Sequence, residues 1–291
     1  MLPRNHRRIN DMGKLYLVGT PIGNLGDLSP RAAQVLESVD FIAAEDTRVS
    51  LKLLNHLGIK KPMVSYFQHN IRQRGQQILD RILAGENCAI ITDAGMPCIS
   101  DPGEDLVALC HENQVPLEVV PGPSAAIAAL AASGLPTGRF AFEGFLSVKA
   151  SSRMEHLESV KNDRRTLIFY EAPHKLRATL EDMARVFGAE RRITLARELT
   201  KVHEEILRTT LGEACDLYAQ REPKGEFVLV VEGAPEPEST LVTKDQAAEM
   251  IVQLNGCGVS LSDAAKQVAA DTGYKKGELY RMALALQGGE G

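Results

Sequence analysis

The chain reads Asp-Ala-Gly-Met-Pro-Cys-Ile-Ser-Asp-Pro-Gly at residues 93–103, directly after the apolar run at 88–91. The apolar run predicts a buried strand, and the residues after it predict a loop. Glycine lets backbone approach another group closely, proline fixes the turn, and aspartate presents oxygens where the strand ends. This composition predicts a loop that holds a ligand.

Two similar loops lie on either side of this one in the sequence. Gly-Thr-Pro-Ile-Gly-Asn at 19–24 follows the apolar run 14–18, and Pro-Gly-Pro-Ser-Ala at 121–125 follows the run 117–120. In open α/β sheets, ligands bind just outside the carboxyl ends of the strands. The three loops are therefore expected to share one site, the alternative being that they are ordinary turns of an α/β protein.

The chemistry of these loops narrows the class of ligand. None of them contains Lys or Arg, and the chain has neither of the common glycine-rich phosphate motifs, which disfavours a nucleoside triphosphate or a dinucleotide. Acidic and carbonyl oxygens instead suit a ligand with hydroxyl groups and positive charge. S-adenosylmethionine fits, because it carries a ribose, an ammonium and a sulfonium but no phosphate.

Composition limits the protein class. The 291 residues predict two α/β domains and an appendage, and the net charge of −5 does not mark a nucleic-acid binder. The five cysteines have no C-x-x-C spacing, which favours a reducing cytoplasm and argues against a metal site. Residues 1–13 are predicted to be a flexible basic tail rather than a signal peptide, and no apolar run is long enough to cross a membrane.

Short apolar runs alternate with longer helical patterns up to residue 232, which predicts a mainly parallel sheet in each α/β half. Ser29 and Pro30 are expected to begin the first helix as its cap and its first residue. The predicted domains are 14–122 and 123–235, the boundary lying after the turn at 121–122. The predicted strands are 14–19, 39–44, 63–67, 88–92, 116–120, 140–145, 166–171, 193–198 and 226–232.

A Pro-rich acidic linker at 233–238 precedes a helical module, predicted at 240–291. Its pattern resembles a helix-turn-helix with glycine at the turn. The last helix carries Lys275, Lys276 and Arg281, which suit contact with RNA phosphates. The alternative is a helical module that only packs against the body or a partner subunit.

Taken together, the motifs resemble one known family. They occur in order at 19–25, 44–48, 93–103, 121–125, 169–174 and 197–201. This set resembles the tetrapyrrole-methylase-like methyltransferases, and most closely their members that methylate the 2′-hydroxyl of a cytidine in the decoding centre of 16S ribosomal RNA. The resemblance implies two α/β domains, a homodimer, S-adenosylmethionine in the cleft between the domains, and RNA in the small ribosomal subunit as substrate.

The resemblance also implies site residues. The residues expected to bind the donor are Gly19, Pro21, Gly23, Asp93, Ala94, Gly95, Pro97, Ser100, Ser124, Ala125, Tyr170 and Glu226. No metal is expected.

A ribose hydroxyl is a poor nucleophile, so a base that takes its proton would assist methyl transfer. Asp46 is the first candidate, because it follows a strand at the same edge as the glycine loops, and Arg48 is expected to hold an RNA phosphate. Glu45 is expected on the opposite side if the extended structure continues. The alternative is that Asp46 or Thr47 simply caps the next helix. His69 and Glu171 are the other acid–base candidates.

Two rival functions remain. A methylase of a corrinoid or sirohaem precursor would share the fold but would not need an RNA-reading helical appendage. A small-molecule-sensing regulator would use the C-terminal helices to bind DNA, and would need no acid–base group beside the donor methyl.

Overall fold

The computed structural model describes residues 12–67, 71–236 and 242–288. By contacts within the chain, it divides into two compact units, residues 1–234 and 235–291. The first unit contains two five-stranded sheets and the second contains three helices. The finer boundary after residue 122 stays a prediction.

The first sheet is wholly parallel, with strand order β3-β2-β4-β1-β5. Its strands are β1 (Leu15–Val18), β2 (Phe41–Ala44), β3 (Met63–Ser65), β4 (Cys88–Ile91) and β5 (Leu117–Val120).

Helices cover both faces of this sheet. They are α1 (Pro30–Ser38), α2 (Thr47–His56), α3 (Ile71–Leu83) and α4 (Glu104–Glu112). Buried residues of α1 and α2 pack on one face, and those of α3 and α4 pack on the other. Strands buried on both sides are continuously apolar, which is why β2 and β4 could be recognised in the sequence. The Ser29 hydroxyl accepts the Ala32 N–H and Pro30 begins α1, which confirms the predicted start of this helix.

The second sheet has strand order β6-β7-β10-β8-β9. Its strands are β6 (Phe140–Phe145), β7 (Thr166–Glu171), β8 (Arg192–Arg197), β9 (Glu205–Thr210) and β10 (Phe227–Val231). On one face lies α5 (Ala125–Ser133), and on the other lie α6 (Ala150–Val160), α7 (Leu176–Phe187) and α8 (Leu211–Gln220).

The prediction of a mainly parallel sheet is wrong for this half. Only β6 and β7 pair in parallel, while β7-β10, β10-β8 and β8-β9 are antiparallel. The sequence reading missed β9, an edge strand with only two apolar residues, Ile206 and Leu207. Residues 198–204 join β8 to β9, and a parallel crossover needs about a dozen residues or more. The short connection therefore forces β9 to run antiparallel to β8, and the crossover through α8 then brings β10 back in the direction of β9, opposite to β7 and β8.

The second unit consists of α9 (Lys244–Gly256), α10 (Leu261–Thr272) and α11 (Lys276–Gly288) around their own apolar cluster. Gly273 ends α10 in the left-handed conformation, with φ 75°, as expected of a glycine at this turn. No helix in the described ranges is long and apolar enough to cross a membrane.

Candidate active site

The three glycine-rich loops meet at one edge of the first sheet, since β4, β1 and β5 are neighbouring parallel strands. Thr20 and Gly95 exchange backbone hydrogen bonds of 2.9 and 3.1 Å, which join the loops after β1 and β4. The Gly122 N–H lies 3.3 Å from the Met96 sulfur, which joins the loops after β4 and β5. The convergence expected from the sequence is thus present in the backbone.

Gly19 makes this convergence possible through its lack of a side chain. A Cβ atom at Gly19 would lie 2.6 Å from Gly122 Cα, and Gly19 is buried. It therefore allows the two loops to touch and does not itself line the cavity beside them. Pro21, Gly23 and Pro97 also lie outside the lining of that cavity.

A cavity of about 500 Å³ lies beside these loops, between the edges of the two sheets. This volume is within the range of small-molecule sites, roughly 300–1,000 Å³. Both sheets contribute lining residues. The lining includes Ile22, Glu45, Asp93, Ala94, Gly95, Met96, Ile99, Ser100, Asp101, Ser124, Ala125, Phe145, Tyr170, Glu171, Ala172, Pro173, Ala196, Glu198, Leu199, Lys201, Glu226, Phe227 and Val228.

The cavity brings together most of the predicted donor residues. Those that line it are Asp93, Ala94, Gly95, Ser100, Ser124, Ala125, Tyr170 and Glu226, together with the acid–base candidate Glu171. Asp46 and Arg48 do not line it. His69 lies outside the described residues.

Three carboxylates face the cavity from the loops after β2 and β4: Glu45, Asp93 and Asp101, here called the carboxylate cluster. Burial raises the pKa of Asp101 to about 6, and the charges of Glu45 and Asp93 add to this effect. Burial also raises the pKa of Asp93. Glu45 accepts a hydrogen bond of 2.6 Å from the Thr92 hydroxyl. The carboxylate cluster therefore concentrates negative charge at the cavity.

Asp46 has a different environment. It caps α2 by accepting the Arg48 N–H at 2.8 Å, and it pairs with the Arg48 guanidinium at 2.6 Å. These hydrogen bonds lower the pKa of Asp46 to about 2. Glu45 was expected on the far side only if the extended structure continued. That condition is not met, because β2 ends at Ala44, and Glu45 lines the cavity.

Glu171 is buried, and both of its carboxylate oxygens have partners. One oxygen accepts the Thr179 hydroxyl at 2.5 Å, while the other accepts the Ala172 N–H and pairs with Lys175, both at 2.8 Å. These partners hold the end of β7 against α7. These contacts explain the buried Glu171 side chain by a structural role.

The N-terminus of α5 reaches the cavity through Ser124 and Ala125. Ser124 makes no capping hydrogen bond with its side chain, and the Ala126 N–H donates to the Tyr170 hydroxyl at 3.2 Å. Burial raises the pKa of Tyr170, so this phenol stays neutral. A helix N-terminus favours a negatively charged group.

Lys201 was missed as a site residue by the sequence reading, although its motif at 197–201 was noted. Its ammonium lies 2.9 Å from Glu198 and 2.8 Å from Glu226. Burial opposes the effect, but the hydrogen bonds to Glu226 and Glu198 raise the pKa of Lys201. Glu198 and Thr200 have positive φ angles of 51° and 65°. Non-glycine residues rarely adopt this conformation, so its occurrence at two nearby residues points to a functional segment. The types of these residues do not reveal the conformation, and the sequence therefore did not predict it.

The described part of the chain contains no group of three or more His, Cys, Asp or Glu side chains suited to hold a metal ion.

Comparison with known proteins identifies the family. The model of the tetrapyrrole (corrin/porphyrin) methylases matches residues 14–215. Ribosomal RNA small subunit methyltransferase I of Synechocystis is 47% identical over 276 residues, which cover 95% of this chain and 99% of that protein. The protein of the same name from Pseudomonas aeruginosa is 46% identical, over 95% of this chain and 98% of its own length. The chain belongs to the tetrapyrrole methylase family, in the ribosomal RNA small subunit methyltransferase I group.

The tetrapyrrole methylase fold extends to distant solved structures. A cobalt precorrin-4 methyltransferase superposes with a TM-score of 0.57 at 18% identity, covering 78% of this chain and 97% of its own. At this identity, the likeness concerns the fold alone.

The C-terminal helices also match a family model, the RsmI C-terminal HTH domain, over residues 257–287. Within this unit, Lys276 donates to the Ser262 hydroxyl at 3.0 Å, and the Arg281 side chain donates to the Gly277 carbonyl at 3.1 Å. Lys275, Lys276 and Arg281 are exposed at the start of α11. The three predicted cations therefore share one helix end.

Proposed function

We propose that the protein transfers the methyl group of S-adenosylmethionine to the 2′-hydroxyl of a cytidine in 16S ribosomal RNA of the small subunit. The observation that carries the proposal is the cavity with its carboxylate cluster, in a chain so similar to ribosomal RNA small subunit methyltransferase I over nearly its whole length. The family is one of S-adenosylmethionine-dependent methyltransferases, so the donor follows from membership.

The donor matches the charge of the cavity. Lys201 is the one Lys or Arg among the lining residues in the described ranges, and its charge is balanced by Glu198 and Glu226. The ammonium and sulfonium of the donor suit the surrounding carboxylates, whereas a phosphate would be repelled. We assign donor binding to Asp93, Ala94, Gly95, Ser124, Ala125, Tyr170 and Glu226. The N-terminus of α5 suits the carboxylate of the donor.

Methyl transfer requires the attacking oxygen in line with the bond from sulfur to methyl, so positioning supplies much of the acceleration. The oxygen–methyl bond forms as the sulfur–methyl bond breaks. The electron pair of the broken bond stays on sulfur, and the hydroxyl proton passes to a base. No step in this scheme needs a metal ion, and we expect donor binding to be unchanged by a chelator.

We assign the base to Asp101 rather than to Asp46. Asp101 lines the cavity, and a pKa of about 6 leaves it ionised at neutral pH while keeping it a far stronger base than an ordinary carboxylate. Asp46 has a pKa of about 2 and is held by Arg48 outside the cavity lining. Both carboxylate oxygens of Glu171 already hold the end of β7 against α7, which favours a structural role for this group.

RNA contact is assigned to the cations of the C-terminal unit, Lys275, Lys276 and Arg281, and to Arg48. The Arg48 side chain is 88% exposed despite its pairing with Asp46, so it can contact a phosphate as well. A single helix end reads little sequence, so we infer that the assembled small subunit, rather than naked RNA, is the substrate. We also infer a homodimer and a cytoplasmic site of action.

The rival functions have weaker support. A tetrapyrrole precursor as substrate rests on structures at low identity, whose likeness concerns only the fold. A sensing regulator would have no use for a half-buried carboxylate of raised pKa beside the ligand.

The test is transfer of label. The protein is incubated with methyl-labelled donor and small subunits reconstituted from unmodified RNA, with naked 16S RNA and a uroporphyrinogen as parallel acceptors. We expect label in the RNA of the subunit, mapped by nuclease digestion to the 2′-oxygen of one cytidine. Label in the tetrapyrrole, or label in no acceptor, would contradict the proposal.

A truncated chain ending at residue 236 tests the role of the helical unit. We expect it to bind donor with unchanged affinity by calorimetry but to methylate subunits poorly. The full chain carrying alanine at 275, 276 and 281 should lose activity in the same direction. Full activity in both would assign the unit to packing instead of RNA binding.

A further inference from the structure

Strand β6 contains a bulge that changes the direction of an aromatic side chain. Its register against β7 shifts between Phe142, opposite Ile168, and Gly144, opposite Phe169. In a regular strand, Phe142 and Phe145 would point to opposite faces, since they are an odd number of residues apart. The bulge brings both to the face of Tyr170, whose ring centroid lies 4.9 Å from Phe142 and 5.4 Å from Phe145. Bulges beside active sites often redirect a side chain in this way.

Phe145 lines the cavity and nevertheless remains 55% exposed. Its position is fixed from within the protein. Tyr170 packs against it, and the Lys175 ammonium lies 5.5 Å from its ring centroid. Lys175 in turn is held by Glu171 at 2.8 Å and by the Leu146 carbonyl at 3.1 Å. The protein thus supports a large apolar ring firmly while leaving half of it uncovered.

A second exposed apolar side chain lines the cavity from the loop after β4. Gly144 has a φ of 66°, and a Cβ atom built on it would lie 3.7 Å from the Ser100 hydroxyl oxygen, so β6 and the loop after β4 are in contact here. Ile99 precedes Ser100, lines the cavity and is 51% exposed. Ile99 and Phe145 therefore flank the point where the two sheets approach each other.

We propose that Phe145 is the platform on which the base of the target nucleotide stacks, with Ile99 as the second apolar contact. The inference rests on the proposed function and adds how the acceptor is held. An exposed aromatic ring suits a nucleobase, because every base has a face that stacks on it. A base stacked here is drawn out of its helix, and its ribose then lies beside the carboxylate cluster of the same cavity.

To reach the Phe145 ring, the base must leave its neighbours in the RNA stack. That unstacking costs free energy, and stacking on a protein ring compensates for part of the cost.

The experiment compares Phe145→Leu with Phe145→Tyr in the full chain, using reconstituted small subunits as acceptor. Leucine keeps the apolar volume but loses the aromatic face, whereas tyrosine keeps that face. The matched control is Phe140→Leu, the same change on the same strand at a ring that is 39% exposed and outside the cavity lining. We expect Phe145→Leu to lower kcat/KM for subunits about 5- to 100-fold, mainly through KM, with donor affinity and melting temperature unchanged. Phe145→Tyr and Phe140→Leu should match the wild type.

A fluorescence measurement covers the case in which Phe145→Leu does not fold. The chain contains no tryptophan, so Phe145→Trp introduces a single fluorophore. Titration with the nucleoside cytidine, in the presence of the demethylated donor product, should quench this tryptophan more than one at position 140.

The outcomes separate the two proposals. If the wild type labels subunit RNA while Phe145→Leu equals it in KM, or the two tryptophans quench alike, the stacking role is overturned. If the wild type labels no RNA at all, the proposed function fails, and the stacking role fails with it.

Discussion

The loops after β2 and β4 begin at the same edge of the first sheet and both carry carboxylates. The surroundings of these carboxylates differ between the two loops. After β2, Asp46 receives a backbone N–H and a guanidinium, and its pKa falls to about 2. After β4, Asp101 is half-buried among other acids, and its pKa rises to about 6. The residue type is the same, and both residues lie in loops that follow strands of the first sheet. The surroundings decide whether a carboxylate stabilises a helix or can take a proton.

The two aspartates also differ in their effect on the stability of the fold. A carboxylate that is capped and paired strengthens the fold, whereas one held near like charges weakens it. The backbone of the loop after β4 is also strained, with φ angles of 72° at Cys98 and 63° at Ser100. Such strain concentrates at functional sites, which fits the role assigned to this loop.

Replacing the base should have the largest effect. We expect Asp101→Asn to lower the single-turnover rate of methyl transfer about 10²- to 10⁴-fold, because the basic oxygen is lost while the shape is kept. Donor affinity should change little. Asp216→Asn, an exposed aspartate on α8, is the control and should retain the wild-type rate. A rate for Asp101→Asn close to that of the control would remove Asp101 from the chemistry.

The next effect concerns the other aspartate of the same loop. Asp93→Ala should weaken donor binding by about 1.5–3 kcal/mol, through the loss of a charge-assisted hydrogen bond. Calorimetry with the donor alone measures this directly. Unchanged affinity would show that Asp93 does not contact the donor.

Replacing Asp101 should raise the stability of the fold, although it lowers the rate of methyl transfer. The folded protein holds this proton more tightly than the unfolded chain, so the loss of stability caused by ionising the group grows between about pH 4 and about pH 6 and is fully present above that. Asp101→Asn should therefore melt at a higher temperature than wild type at pH 7.5. That difference should disappear as the pH falls towards 4. A variant that is less stable at neutral pH would contradict the assigned environment.

The smallest effect on rate is expected at the other loop. Asp46→Asn should transfer methyl within a few-fold of the wild-type rate, because asparagine can still cap α2. Asp46→Ala should lower the melting temperature by losing the cap. A fall in the rate of Asp46→Asn comparable to that of Asp101→Asn would restore Asp46 as the base and reverse the comparison.

The sequence predicted the parts of the fold that depend on local pattern. The buried strands of the first sheet and the start of α1 at Ser29 and Pro30 follow from apolar runs and capping residues. The edge strand β9 could not be found in this way, because half-exposed strands have few apolar residues. The antiparallel pairing of the second sheet followed from the connection of β9 to β8, and was missed with it.

The candidate site was predictable in part for similar reasons. Glycines and aspartates in three loops after strands indicate a shared site from the sequence alone. The sequence could not predict that Glu45, rather than Asp46, lines the cavity, because this depends on where β2 ends. Lys201 and Phe145 owe their positions to backbone departures, positive φ angles in one case and a bulge in the other, and residue types do not reveal these.

The pH dependence of kcat/KM between pH 5 and 8.5, with donor and subunits both well below saturation, tests most directly whether Asp101 takes the proton, because this ratio reports the groups of the free protein. The wild-type kcat/KM should fall about tenfold for each pH unit below about 6, since Asp101 must be ionised to accept the proton. Asp101→Asn should be slow and show no such fall. A wild-type kcat/KM that stays constant down to pH 5, or the same fall in both proteins, would contradict the claim that Asp101 takes the proton.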